Sequence, residues 1–167
     1  MKILHTSDWH LGQSFMGKSR EEEHRAFLAW LLELIEKEEI SVLIVAGDIF
    51  DIGTPPNYAL ELYYNFLTKL SRSSCENIII TAGNHDSIAT LKAPKQLLKA
   101  LNIHLITSGD EDEEEIVPIY KQETLEGIVC AVPFLRDYVV RKSLDAQSMS
   151  DKENALTQGI KEHYNCV

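Results

Sequence analysis

Three short apolar runs, each leading to glycine or to reactive polar residues, constrain the fold of this chain more than any other feature. They lie in the segments 2–7, 41–48 and 77–86 and lead to the clusters Asp8-Trp9-His10, Gly47-Asp48 and Gly83-Asn84-His85-Asp86. A continuous apolar run of about four to eight residues, bounded by turn-forming residues, is typical of a strand that is buried on both faces. The sequence therefore predicts three buried strands that carry the polar clusters at their carboxyl ends.

Segments with helical periodicity separate these runs. In 21–38 the apolar residues recur at the spacing of one helix face, at Ala26, Phe27, Trp30, Leu31, Leu34 and Ile35. Pro55 and Pro56 suit the first turn of a second helix that extends to about Leu70, and a third helix is predicted at about 90–101. Strands that alternate with helices indicate an α/β protein with a mainly parallel sheet covered by helices.

The rest of the chain predicts further strands and one helix. A strand at 103–107 is followed by strand-like runs at 116–120 and 127–135 around a turn at Glu126–Gly127, and then by a helix over about 150–164. No internal repeat or linker interrupts this order. We therefore expect a single domain over 1–167, with its functional groups beyond the carboxyl ends of the parallel strands.

The charge of the chain argues against tight nucleic-acid binding in the absence of metal ions. The net charge is −10 at pH 7, whereas nucleic-acid-binding proteins usually carry a basic surface. Acidic residues concentrate in 110–115, with Glu123 nearby, and this stretch is predicted to be a solvated loop. Divalent ions neutralise the carboxylates that hold them, so the formal charge overstates the repulsion at a metal site.

Cysteine usage and hydropathy predict a cytoplasmic protein without membrane association. Cys75, Cys130 and Cys166 form no CxxC pair and are predicted to be reduced thiols. No apolar run approaches the length of a membrane span. The N-terminal segment becomes polar within a few residues, which is too early for the apolar core of a signal peptide.

The three polar clusters contain the donor types of a divalent-metal site. Asp8 and His10 are two residues apart, so their side chains point the same way if the segment is extended. A carboxylate and an imidazole on one side suit a first-row divalent metal. Asp48 occupies a central position from which one carboxylate can bridge two metals, and Asn84 and His85 add a carbonyl oxygen and a second imidazole.

Each cluster has a purely structural alternative when it is considered alone. Asp48 can make an Asx-turn or cap the next helix, and Asn84 and Asp86 can be turn residues. Asp86 can also orient His85, although a helix cap is the favoured role. Turn formation alone does not explain why all three clusters follow strands in this order, and the combination favours a metal site.

The same clusters resemble the early motifs D-x-H, G-D and G-N-H-D of the calcineurin-like metallophosphoesterases. The longer segments TSDWHLG at 6–12, AGDIFD at 46–51 and GNHDS at 83–87 are similar to those of the bacterial SbcD nucleases, relatives of the Mre-type repair nucleases. The resemblance extends over the whole chain. It implies a β-sandwich flanked by helices, of which this chain is expected to form the first half of a four-layer α/β/β/α arrangement.

The resemblance also implies a role for each site residue. Asp8 and His10 would bind the first metal, Asp48 would bridge both metals, and Asn84 would bind the second. His85 would be a catalytic residue that faces the substrate phosphate without binding a metal. The implied cofactors are two divalent ions, with manganese favoured over magnesium. Two such ions about 3.5–4 Å apart can clamp both the attacking and the leaving oxygen of a phosphodiester.

The later histidine motifs of that family, G-H and G-H-x-H, do not occur in this sequence. Its last histidine, His163, follows no strand and no glycine and is predicted to be a surface or packing residue. We therefore expect a chain that is truncated before these motifs. Such a chain should bind a second metal poorly, show little nuclease activity by itself and expose an apolar patch.

The function implied by the resemblance is that of one component of an SbcCD-type DNA nuclease in repair and recombination. It would act on DNA ends and hairpins as a double-strand 3′–5′ exonuclease and a single-strand endonuclease. The implied partners are DNA, an SbcC-type ATPase and a second copy of the chain, as a homodimer within a heterotetramer. The alternatives are another calcineurin-like phosphodiesterase or a protein phosphatase, and a catalytically incomplete fragment.

Other side chains near the motifs are assigned simpler roles. His5 is predicted to be a core residue, and Trp9 and Phe50 are predicted to pack the floor of the site. Lys18, Arg20 and Arg25 are candidate contacts to DNA phosphates and equally candidates for a solvated face.

Overall fold

The structure is a computed structural model that describes residues 1–109, 114–121, 123–137 and 149–167. Its strands are β1 Ile3–Thr6, β2 Ser14–Phe15, β3 Lys18–Ser19, β4 Val42–Ala46, β5 Asn77–Thr81, β6 Ile103–Ile106, β7 Ile116–Lys121 and β8 Thr124–Cys130. Its helices are α1 Glu21–Lys37, α2 Asn57–Leu70, α3 Ile88–Lys92, α4 Lys95–Ala100 and α5 Met149–Cys166. In these described ranges, no helix combines the length and the apolarity that crossing a bilayer requires.

Four strands form a parallel sheet in the order β1-β4-β5-β6, with helices in each connection. The prediction of a parallel sheet covered by helices is therefore confirmed. The register pairs Thr6 with Val45, Ala46 with Thr81, and Thr81 with Ile106. Because the strands end nearly level, the polar segments that follow them meet at one edge of the sheet.

The two faces of this sheet pack into two different cores. One face lies under the helices and contributes Leu43, Val45, Ile78 and Ile80. The other face packs on the antiparallel hairpin β7–β8 and brings together Val42, Ile79, Val117 and Ile119. Burial on both faces explains why β4 and β5 are unbroken apolar runs. Helices, parallel sheet and hairpin form successive layers, in agreement with the helix-flanked β-sandwich expected.

Helix α1 buries a face that only partly matches the predicted one, which Leu31 and Ile35 share. Its buried residues are His24, Leu28, Leu31 and Ile35, which recur at the helical period. Trp30 is 54% exposed and Ala26 is also exposed, so their assignment to the buried face is wrong. The ring of Trp30 instead lies beside that of Phe27, with centroids 6.1 Å apart, at the margin of the buried stripe.

Prolines set the beginnings and the break of the remaining helices. Pro56 is the N-cap of α2, so the helix begins at Asn57 and both prolines precede its first turn, which they were predicted to form. The single helix predicted at about 90–101 is divided into α3 and α4 because Pro94 lacks the N–H that would continue the hydrogen-bond ladder. Ser87 caps α3 by accepting the N–H of Thr90 at 3.3 Å. The cap role predicted for Asp86 is therefore wrong.

The hairpin β7–β8 reverses direction earlier than predicted. Strand β8 spans Thr124–Cys130 and not 127–135. The predicted turn, Glu126–Gly127, lies inside β8, where the register shifts between Ile119 and Tyr120 of the partner strand. A glycine within a strand can mark a bulge as well as a turn, and here it marks a bulge.

The first strand is an edge strand with one face open to solvent. His5 is exposed, so its prediction as a core residue is wrong, and Ile3 on the same face is 48% exposed. Strand β1 pairs only with β4, and its Leu4 alone packs against the core under the helices. The outer face of the hairpin also exposes apolar side chains, at Ile116, Tyr120, Leu125 and Ile128. The sequence likewise predicts exposed apolar surface.

The acidic stretch 110–115 lies partly outside the described residues, which omit 110–113. Glu114 is exposed, as predicted for a solvated loop, but Glu115 is buried. Its Oε2 atom lies 2.8 Å from Nε2 of His163 in α5, and this pairing offsets part of the cost of burying the carboxylate, whose Oε1 makes no hydrogen bond among the described residues. His163 is therefore a packing residue, as predicted.

The cysteines are all free thiols, in agreement with the sequence prediction. Burial raises the pKa of the Cys75 thiol to about 11, which makes it unreactive at neutral pH.

Candidate metal centre

Backbone hydrogen bonds join the three strand-end segments into one unit. The N–H of Asp8 donates to the carbonyl of Gly47 at 3.1 Å, and the N–H of His10 donates to the carbonyl of Asp48 at 3.0 Å. The N–H of Gly47 donates to the carbonyl of Thr81 at the end of β5, also at 3.1 Å. These bonds extend the sheet pairing beyond the strands and fix the segments relative to one another.

Asp8, His10 and Asp48 all have left-handed backbone conformations. Their φ angles are 55°, 45° and 49°. The assumption that Asp8 and His10 lie in an extended segment is therefore wrong, and their side chains converge because the backbone turns at each residue. A left-handed conformation costs a residue other than glycine roughly 1–2 kcal/mol. Such strain concentrates at functional sites, where the surrounding structure holds it in place.

The side chains of these three residues form a compact donor cluster. One ligand atom from each of Asp8, His10 and Asp48 lies within 4.8 Å of the others. Nε2 of His10 is 3.9 Å from Oδ1 of Asp8, which leaves space between them for an ion and not for a direct hydrogen bond. Two carboxylates and one imidazole are oxygen and nitrogen donors of the kind that bind divalent metals, and the cluster therefore fits a divalent metal.

Gly83 allows the segment after β5 to pack directly against Asp48. A Cβ atom at this position would lie 2.1 Å from Oδ1 and 2.3 Å from the backbone nitrogen of Asp48. The constraint is space and not an unusual φ angle. The glycine before Asn84 therefore determines where the central carboxylate can lie.

Replacing Gly83 by Ala is expected to displace Asp48 and weaken manganese binding. Overpacking of this kind costs about 1–3 kcal/mol of folding free energy. Denaturant unfolding and calorimetric manganese titration would measure the two effects. Gly53→Ala is the matched control, because its Cβ would meet only Ser87, at 3.5 Å. Wild-type manganese affinity in the Gly83 variant would contradict the assigned packing.

Asp86 is a buried carboxylate that ties two loops together. Its oxygens accept the backbone N–H groups of Ile49 at 3.2 Å, Phe50 at 2.9 Å and Gly83 at 2.9 Å. Burial raises the pKa of Asp86, while these three hydrogen bonds act in the opposite direction. The residue thus holds the segment after β4 against the segment after β5, and in the described part of the chain the hydrogen bonds of its side chain go to these backbone groups and not to the His85 ring.

His85 is held by the segment that follows β4. Its Nδ1 atom lies 2.7 Å from the carbonyl oxygen of Asp51, and its backbone N–H donates to Oδ1 of Asp48 at 3.0 Å. The bond to the Asp51 carbonyl raises the pKa of His85, and the surrounding carboxylates raise it further. Because Nδ1 is engaged, Nε2 of this exposed ring is the nitrogen left to act on a substrate.

Asp51 is a site residue that the sequence reasoning missed. Its Oδ1 lies 3.3 Å from Nδ1 of His10, on the opposite side of the imidazole from Asp8, and accepts a hydrogen bond from Gln13 at 3.3 Å. This distance is within the range of an ion pair, but among the described residues Nδ1 of His10 makes no hydrogen bond. His10, Asp51 and His85 also form a second possible donor group within 4.8 Å. The sequence feature that could have identified Asp51 is its position three residues after Asp48 in the segment AGDIFD at 46–51.

Asn84 is exposed and lies beside the central carboxylate. It lines a cavity of about 260 Å³ together with Asp48 and residues of the segment 132–134. The structure therefore brings together all five residues proposed from the sequence, and Asn84 lines the same cavity as Asp48.

The remaining predictions around the site concern packing and charge. Trp9 and Phe50 are buried and form the floor of the site, as predicted. The guanidinium of Arg20 donates to Gln13 at 2.9 Å, and Arg25 pairs with Glu21 at 2.8 Å on the surface of α1. These local partners favour a solvated face over dedicated phosphate contacts.

Comparison with known proteins relates this arrangement to one family. A family profile described as calcineurin-like phosphoesterase matches residues 1–143. The SbcD component of nuclease SbcCD from Escherichia coli (strain K12) is 42% identical over 164 residues, which cover 98% of this chain and 40% of that protein. The protein of the same name in Rhodobacter capsulatus is 40% identical over 144 residues, which cover 81% of this chain and 36% of that protein.

A third relative shows the same similarity over a shorter range. The SbcD component of nuclease SbcCD from Bacillus subtilis (strain 168) is 42% identical over 106 residues, covering 64% of this chain and 27% of that protein. The chain thus spans at most about 40% of the length of these relatives.

Proposed function

Because the chain belongs to the calcineurin-like phosphoesterase family, we propose that it hydrolyses phosphodiester bonds of DNA as part of an SbcD-type nuclease. The observation that carries the proposal is the convergence of Asp8, His10 and Asp48 within 4.8 Å, beside a fixed His85. The relatives at 40–42% identity, each named as the SbcD component of a nuclease, support DNA as the substrate.

The residues assigned to the metals follow from the donor cluster. Asp8 and His10 are proposed to hold the first ion, Asp48 both ions, and Asn84 the second, with manganese favoured over magnesium. Bound ions would supply Lewis-acid activation of the phosphodiester and of the attacking water. Asp51 places a carboxylate beside the imidazole of His10, and Asp86 keeps Asp48 and Asn84 in register by tying their loops together.

His85 is proposed to act on the substrate phosphate. The carbonyl of Asp51 accepts a hydrogen bond from Nδ1–H of His85 and so fixes the orientation of the ring. A protonated Nε2 can donate a proton to the departing 3′ oxygen or stabilise the charge that develops on the phosphoryl group.

The finer activities and partners belong to the same proposal. We propose double-strand 3′–5′ exonuclease and single-strand endonuclease activity on DNA ends and hairpins, in cytoplasmic repair and recombination. The partners are an SbcC-type ATPase and a second copy of this protein, in a heterotetramer. The names of the relatives, which describe one component of an SbcCD nuclease, support the ATPase partner.

A small phosphodiester or a phosphoprotein is the alternative substrate. The net charge of −10 favours it, because an acidic protein repels a polyanion. The complete protein should be assayed on linear duplex DNA, hairpin DNA and bis(4-nitrophenyl) phosphate, with manganese, with magnesium and with a chelator. We expect manganese-dependent cleavage of both DNA substrates. Hydrolysis of the small diester with intact DNA would support the alternative.

The isolated 167-residue chain is expected to bind one manganese ion weakly and to cleave DNA very little. In the part of the chain that the structure describes, the proposed donors to the first ion are Asp8, His10 and Asp48. The proposed donors to the second ion are Asn84 and the bridging carboxylate of Asp48. Manganese prefers octahedral coordination, so each donor that water must replace lowers the affinity. Calorimetric titration with parallel DNA hydrolysis tests this. Two tightly bound ions and robust cleavage would show that further residues complete the site.

A further inference from the structure

Arg136 reaches from the segment after β8 to the loop that carries Asn84 and His85. Its Nη2 atom donates to the backbone carbonyl of Asp86 at 2.6 Å and lies 3.5 Å from the carbonyl of Asn84. These two carbonyls are on either side of His85 in the chain. A single guanidinium therefore holds the backbone of the residue before and of the residue after the proposed catalytic histidine.

The segment 131–136, which follows β8 and carries Arg136, is attached to the parallel sheet. The N–H of Phe134 donates to the carbonyl of Ala82, just beyond β5, at 2.9 Å. The guanidinium carbon of Arg136 lies 6.0 Å from the centroid of the Phe134 ring, within the range of a cation–π contact. The segment that carries the arginine is thus fixed relative to the sheet on which the loop also depends.

The loop is fixed from the opposite side by a different residue. Asp86 accepts backbone N–H groups with its side chain, while its own carbonyl accepts from Arg136. The interior side of the loop is therefore held by a carboxylate and the exterior side by a guanidinium. The peptide between Asn84 and His85 is held at both of its polar groups, because its N–H donates to Oδ1 of Asp48 at 3.0 Å and its carbonyl faces Nη2 of Arg136 at 3.5 Å.

We propose that Arg136 is a positioning residue, which sets the backbone of 84–86 so that Asn84 faces the second metal position and His85 faces the phosphate. The proposal rests on the proposed function, since it assigns Arg136 a role in the same site. It also predicts an effect on metal binding, which can be measured whether or not DNA is the substrate.

An arginine near a phosphodiesterase site has a competing role as a direct phosphate contact. The two roles differ in what they affect. A phosphate contact contributes to substrate binding. Its removal weakens DNA binding and reduces the slope of the logarithm of the binding constant against the logarithm of the salt concentration by about one. A positioning residue affects the metal and the chemical step, and its removal leaves the salt dependence unchanged. At 2.6 Å from a carbonyl oxygen, Nη2 is engaged with the protein, so a phosphate contact would have to use Nε or Nη1.

The test compares Arg136→Met and Arg136→Lys with the wild type in the complete protein. Methionine keeps the apolar stem without a donor, and lysine can restore the bond to one carbonyl. Arg72→Met is the matched control, because Arg72 is exposed at the end of α2. The readouts are manganese affinity by calorimetry, kcat and KM for linear duplex DNA, the salt dependence of DNA binding, and circular dichroism.

For Arg136→Met we expect the weaker manganese site to lose about 10–100-fold in affinity, as is usual for residues that support metal ligands. We expect kcat to fall by a similar factor, KM and the salt dependence to stay the same, and lysine to restore part of both losses. Unchanged manganese affinity and kcat would overturn the proposal. A raised KM with a reduced salt dependence would replace it with a phosphate contact.

Two further outcomes keep the proposal separate from the proposed function. If the wild type does not cleave DNA but the methionine variant still loses manganese affinity, the positioning role stands and the nuclease assignment fails. If the methionine variant does not fold, the lysine variant decides, because wild-type affinity and kcat together with a lower melting temperature would reduce Arg136 to a structural role.

Discussion

Replacing Asp48 by Asn is expected to reduce DNA hydrolysis by at least about a hundredfold without unfolding the protein. A hundredfold loss corresponds to about 2.7 kcal/mol of barrier, a modest part of what two clamping cations can contribute. Asp48 is the central donor of the cluster, and its Oδ1 accepts the N–H of His85 at 3.0 Å. Asparagine retains an oxygen for that hydrogen bond and a closely similar volume beside Gly83. It removes the negative charge on which both proposed metal positions depend.

Nuclease assays with manganese, combined with circular dichroism, measure this effect. Glu61→Gln is the matched control, since it removes one carboxylate charge from the exposed face of α2. An Asp48→Asn variant that keeps more than about a tenth of the wild-type rate has lost less than about 1.4 kcal/mol, which is too little for a bridging carboxylate.

His85→Asn is expected to lower the rate by about 10²–10⁴-fold while manganese affinity persists. Asparagine can donate a hydrogen bond to the Asp51 carbonyl as the imidazole does, but it cannot transfer a proton. His85→Leu removes the hydrogen bond as well and should be at least as slow. Calorimetry of manganese binding to the complete protein distinguishes a catalytic role from a ligand role.

Loss of manganese affinity together with activity would identify His85 as a ligand. The structure contains a set of side chains that could bind a metal with His85 as a ligand, because one ligand atom from each of His10, Asp51 and His85 lies within 4.8 Å of the others. In that case His85 would bind the metal in one of two ways. Either Nε2 would be the ligand atom, or Nδ1 would first have to lose its hydrogen bond to the Asp51 carbonyl.

The sheet and the positions of the polar clusters could be predicted from the sequence because they depend on local patterns. Strands β4 and β5 are buried on both faces, and burial of this kind requires the unbroken apolar runs that identify them. Parallel strands place their carboxyl ends at the same edge, so Asp48 and Asn84 had to lie near each other once the sheet was recognised. The prediction of burial failed for β1. Its position at the edge of the sheet depends on which strands pair with one another, and no local sequence pattern reveals that pairing.

The details of the site could not be predicted because they depend on tertiary contacts. Asp8 and His10 converge through left-handed backbone conformations, which their spacing does not encode. Asp51 and Arg136 act through residues at least 34 positions away in the sequence, His85 for the first and Asp86 and Asn84 for the second. Asp86 looked like a helix cap because Ser87, the actual cap, is its neighbour.

The spacing of the three site segments along the chain has a consequence for folding kinetics. Strand β1 pairs with β4, and the segments after them exchange backbone hydrogen bonds across nearly 40 residues. Contacts of such high sequence separation require large loops to close, and they form late compared with helices. The donor cluster therefore does not exist in any partly folded local segment. Metal binding at this site should report completion of the parallel sheet, and an ion cannot act as an early template for the chain.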